Sequence, residues 1–186
     1  MALSPLAIYG LQQGMGWWPD ESAYQKYHGY VGWQWLYLEI GTLAVGVVIG
    51  WRYRYPFLVM PIAVTLWYLS MDLAAFMVGQ RPDWELQALV SLYFGLVMML
   101  VALWVDIRTR RGGDYAFWLY VFGVITFWGG LSMQMSDSEI SKFLYACTNG
   151  LLVAVGALLV RRVFVVFGAI GCSYYLSYLA YTLFLD

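Results

Sequence analysis

The chain has 186 residues, of which 62% are hydrophobic and 11% charged, with a formal net charge of -1 at pH 7. That is too little polar sequence to cover a soluble globule and too much apolar sequence for one buried core. It reads as an integral membrane protein with one transmembrane domain, and the charge balance excludes the basic footprint of a nucleic-acid binder.

Residues 1–32 lack the basic start and unbroken apolar core of a signal peptide and are assigned to an outward-facing interfacial segment. Ser4 followed by Pro5 is an N-cap and N1 pair, predicting a short helix from Pro5 to about Leu11 on the outer surface, with a plain tail as the alternative. Six apolar stretches follow, each long enough for a membrane span: Trp33 to Trp51, Phe57 to Gly79, Leu86 to Val105, Tyr115 to Met135, Lys142 to Val160, and Val163 to Leu185. The expected fold is therefore all-α: a six-helix membrane bundle spanning residues 33–186, made of three out-in-out hairpins.

Basic residues orient the bundle, because positively charged loops stay in the cytoplasm. Arg52, Arg54, Arg108, Arg110, Arg111, Arg161 and Arg162 fall on one side, against Lys26, Arg81 and Lys142 on the other. Both termini are then outside.

The even-numbered spans share a pattern. Leu69-Ser70-Met71 recurs as Leu131-Ser132-Met133 and more loosely as Leu176-Ser177-Tyr178, with Pro61, Gly123 or Gly168 eight residues before each leucine. Every copy runs outward from a basic turn, which makes this a parallel repeat and not an inverted one. Small residues spaced four apart give three helix-packing rows: Gly46 and Gly50; Ala146, Gly150 and Ala154; Ala169, Ser173 and Ser177. Packing within the chain is the first expectation for these rows, and a dimer face the alternative.

Glu39 and Asp72 are acids set inside apolar stretches, where a charge is costly and usually functional or paired. Residue counts put both roughly 9 to 10 Å below the outer border. Asn149 comes to the same level, with Ser70 and Thr42 nearby. Two acids at one depth on adjacent helices can share a proton or bind a cation or amine; alternatively, bonds to Thr42, Tyr68, Asn149 or Trp35 would lock the helices together.

Other chemistry is thinly represented. His28 is the single histidine, so the chain alone cannot supply bis-histidine haem or a histidine-rich metal centre, although His28 could ligate one metal or pigment. Lys26 and Lys142 sit at borders, leaving no mid-span lysine for a retinal Schiff base. Cys147 and Cys172 differ in depth by about 12 Å and should both be free. No phosphate-cradling loop, nucleophile elbow or zinc-protease motif occurs. The chain is expected to be neither an enzyme nor the holder of a cofactor, since a carboxylate pair alone is thin ground for lipid catalysis.

The run Arg161-Arg162-Val163-Phe164-Val165-Val166-Phe167-Gly168-Ala169 with Tyr174-Tyr175-Leu176, and the run Leu66-Trp67-Tyr68-Leu69-Ser70-Met71-Asp72, resemble bacterial multi-pass inner-membrane proteins of unknown function. The resemblance covers about the last two-thirds of the chain. It implies an inner-membrane location and carries no activity. Two functions are expected: a small proton- or cation-linked transporter or channel component using Glu39 and Asp72, or a non-catalytic structural or assembly subunit of a larger membrane complex. Membrane lipids are the expected surroundings, with other subunits or further copies of the chain as partners.

Overall fold

Helices account for nearly all of the residues described by the computed structural model, which are 3–17, 33–53, 55–78, 83–108, 114–134 and 138–185. In chain order they are α1 (Ser4–Gly14), α2 (Trp33–Tyr53), α3 (Val59–Val78), α4 (Trp84–Arg108), α5 (Tyr115–Met133), α6 (Glu139–Leu159) and α7 (Arg162–Leu185). A 3-10 turn, Pro56–Leu58, leads into α3. The last six helices are long and apolar enough to cross a membrane, with spans of 19 to 25 residues. Helices satisfy every backbone group internally, as hydrocarbon demands. The described residues are thus all-helical beyond their turns and ends, and the chain is a multi-pass membrane protein. His28, Lys26, Arg54, Arg81, Arg110 and Arg111 lie outside the described residues.

Local chemistry explains the helix ends. Tyr55, preceding a proline, is extended, and Pro56 opens the 3-10 turn where a missing N–H costs nothing. The Asp114 carboxylate accepts the Phe117 N–H at 3.1 Å and caps α5. Val160 ends α6 in the left-handed region at φ 56°, and the next N–H, of Arg161, bonds back to the Gly156 carbonyl. The N-terminal helix forms as well, with Ile8 against Gly41, about 12 Å along α2 from Trp33. Its contact is therefore with the flank of α2, two turns further in than a purely surface position would give.

Glycines on the contact faces set the helix packing. A Cβ on Gly130 would come within 2.6 Å of the Ala88 carbonyl, and one on Gly123 within 3.0 Å of the Met99 amide, while Gly95 lies directly against Phe127. Rising numbers on α4 meet falling numbers on α5, so these two helices run antiparallel. The α6 and α7 contacts follow the same rule, with Gly156 on Val165, Gly168 on the Asn149 carbonyl at 2.6 Å, and Gly171 on the Asn149 side chain. The core joins these four helices through Ala102, Ala116, Tyr120, Val124, Leu152 and Phe164. Helix α3 attaches by the Trp67 Nε1–H to Ser91 Oγ bond at 3.2 Å and by edge-to-face rings, Trp67 on Phe122 and Phe57 on Trp118.

Two of the packing rows expected within the chain face the other way. Gly150 has no neighbour within 4 Å of an added Cβ, and Ala154, Ala169, Ser173 and Ser177 are exposed. The contact faces belong instead to Tyr145, Asn149, Leu152 and Gly156 on α6 and to Phe164, Gly168 and Gly171 on α7. A helix apolar all round carries little periodic signal for its inward face, so spacing alone selected the wrong side. Gly46 and Gly50 do turn inward: Gly46 is buried and Gly50 faces Ile62 of α3 at 3.6 Å. Nor are the repeat's upstream positions equivalent. Gly123 and Gly168 both admit a neighbouring helix, whereas Pro61 sits in the first turn of α3, where no helical bond is lost.

Candidate functional site

Helices α2 and α3 face each other, and along this contact the carboxyls of Glu39 and Asp72 come within hydrogen-bonding reach. Glu39 is 8% exposed, Asp72 is half-buried, and Glu39 Oε2 is buried with no hydrogen-bond partner among the described residues. An ionised carboxylate is an acceptor only, so a hydrogen bond between the two groups requires a proton held between them. Phe57, at the start of this helix pair, packs on Trp118, one turn from the Asp114 cap. Asp72, fifteen residues further along, is about 22 Å from that end.

The remaining polar residues of the expected layer divide into separate groups. Thr42 is buried, but its hydroxyl donates to the Leu38 carbonyl at 2.8 Å, and Ser70 donates to the Trp67 carbonyl at 2.7 Å. Each is thereby turned to its own helix. Asn149 does not join the acids. Fully buried between α5, α6 and α7, it accepts the Trp128 Nε1–H at 3.1 Å and donates to the Tyr145 carbonyl at 2.8 Å. The Tyr145 hydroxyl in turn bonds Ser132 at 3.1 Å. Residue counts give depth along a helix but not rotation about it, so Asn149 could be assigned to a level and not to a partner. Ser177 donates to the Ser173 carbonyl on the exposed side of α7. Tyr68 is more than half exposed and packs its ring on Trp67.

Two polar clasps that sequence reasoning missed lie at opposite ends of the core, one joining α4, α5 and the α6–α7 turn and the other joining α6 to α7. Arg161 donates from Nη2 and Nε to Asp106 at 2.6 and 3.3 Å, and from Nη1 to Asp114 at 2.7 Å. Its guanidinium also lies over the Tyr120 ring at 5.5 Å. Asp114, and Asp106 with it, push the Arg161 pKa up from its ordinary value against the effect of partial burial. At the other end Lys142 Nζ bonds Glu139 at 3.0 Å and the Tyr178 hydroxyl at 2.8 Å, and Tyr178 donates to Glu139. Lys142 and Arg161 are separated by roughly 28 Å at the helical rise, close to the thickness of the hydrocarbon layer. Acids directly flanking the basic gaps were the available signal.

Cys147 and Cys172 are both free. Among the described residues no group of three or more His, Cys, Asp or Glu side chains is placed to hold a metal ion. Comparison with protein-family models, curated proteins and solved structures finds no match. The class the fold defines is a multi-pass helical membrane protein, with six candidate spans among the described residues.

Proposed function

We propose that the chain is a small proton- or cation-linked transporter or channel component of the bacterial inner membrane, with Glu39 and Asp72 as its exchangeable pair. The observation that carries this reading is the meeting of the two carboxyls on facing helices, one of them with a buried, unpartnered oxygen. Such a pair holds a proton between its members and releases it when another cation enters. The spans form three out-in-out helix pairs with both termini outside, a reading supported by the seven-to-three division of basic residues. The acid pair then opens toward the outer leaflet.

A second reading, a non-catalytic subunit of a larger complex, draws on Gly150 and Ala154 and on Ala169, Ser173 and Ser177, which face away from the chain's own core. Small residues on a membrane-facing surface permit close approach of another helix.

One experiment addresses both site and sidedness. In sealed vesicles, orientation is set by labelling Gly112→Cys in a chain also carrying Cys147→Ser and Cys172→Ser, and proton flux is compared with that of Glu39→Gln and Asp72→Asn. The expected result is labelling from the cytoplasmic face and flux reduced at least tenfold by either substitution. Labelling only from the periplasmic face overturns the sidedness. Unchanged flux, with either variant impairing folding or partner retention, replaces the transporter reading with the subunit reading.

A further inference from the structure

We infer that the cation exchanged at the Glu39–Asp72 pair is an ammonium group bearing N–H donors, taken up one for one against the shared proton. This rests on the transporter reading and names its substrate class. The donor set argues first against a metal. Calcium takes roughly six to eight oxygens, whereas among the described residues this site offers two carboxyls, and the hydroxyls of Thr42 and Ser70 on the same helices are turned to backbone carbonyls of their own helices. Among the described residues no side chain donates to Glu39 Oε2, which is buried. A primary ammonium brings three N–H donors, enough to reach that oxygen and Asp72 together.

Charge points the same way. With one proton between them the acids carry a single negative charge. With both ionised and one ammonium bound, the site again carries a single negative charge. The exchange therefore changes no net charge in a medium where such a change is expensive. The proton passes to water, no covalent bond is made or broken, and no other reactant is needed.

The rings one turn away supply a further preference. Trp35 precedes Glu39 by four residues and Tyr68 precedes Asp72 by four, so each shares a helix face with its acid. Helical side chains lean toward the N-terminus, which tilts each acid toward its ring. Both rings are substantially exposed, with Trp35 the nearer to the start of α2. An ammonium held at the acids, one turn from such a ring, would gain cation–π attraction.

The test uses the purified full-length chain in phosphatidylcholine vesicles, with methylammonium, tetramethylammonium and sodium chlorides as probes. Proton release is followed with a pH-sensitive dye, and protonated carboxyl by infrared absorption. Methylammonium is expected to release a single proton per chain, saturably, with loss of the carboxyl band. Tetramethylammonium, which has no N–H, and sodium are expected to release none at the same concentration. Release is abolished in Glu39→Gln and Asp72→Asn and needs several-fold more methylammonium in Trp35→Leu than in Trp35→Phe, which keeps a ring. Equal release by tetramethylammonium or sodium overturns the inference. So does a parent carboxyl band that methylammonium leaves unchanged, an outcome that spares the proton-pair reading. Absence of the band in the parent overturns both.

Discussion

Arg161 binds two acids from different segments at once, Asp106 through two nitrogens and Asp114 through the third. Asp114 is also the cap of α5, so one side chain ties the end of α4, the start of α5 and the α6–α7 turn together. A planar guanidinium can serve two acceptors in fixed directions, and a lysine ammonium cannot reproduce that fork. Arg161→Ala is therefore expected to cost about 1–3 kcal/mol, and Arg161→Lys to recover less than half of the loss in thermal unfolding of the detergent-solubilised chain. A lysine variant as stable as the parent would show that charge alone suffices. The clasp escaped sequence reasoning because the basic loop residues were counted only for orientation. Pairing was visible only once Asp106 and Asp114 were brought to the α6–α7 turn.

Among the elements, the helices themselves were legible, since an apolar run of about twenty residues leaves little choice but a membrane-crossing helix. The expected spans differ from α2–α7 by only a few residues at their ends. Which face of each helix turns inward was not legible, because Leu and Val on α6 and α7 suit lipid and protein interior alike. The distinction becomes a prediction about single glycines. Gly168→Ala would drive a methyl to 2.6 Å from the Asn149 carbonyl, whereas Gly150→Ala meets open space. The former is expected to destabilise by about 1–3 kcal/mol through overpacking. The latter is expected to be neutral, or to stabilise by up to ~1 kcal/mol through helix propensity. Equal losses in thermal unfolding would contradict this assignment of faces.

At the scale of the molecule, the four helices α4–α7 share one core, clasped at one end by Arg161 and with α6 and α7 clasped at the other by Lys142, while α2 and α3 are joined to it chiefly through the aromatic and hydrogen-bond contacts of α3. The acid pair belongs to this second, more lightly attached unit. Its meeting could be anticipated because a short turn joins α2 to α3 and the residue counts match; Asn149, several helices away, had no such constraint on its partner. The account depends on Glu39 and Asp72 acting as one titrating unit. Infrared absorption in the carboxyl region, followed across pH for the parent, Glu39→Gln and Asp72→Asn, measures this directly. A shared proton predicts that replacing either acid changes the titration of the one that remains. Two independent titrations, each unchanged when the other acid is replaced, would contradict it.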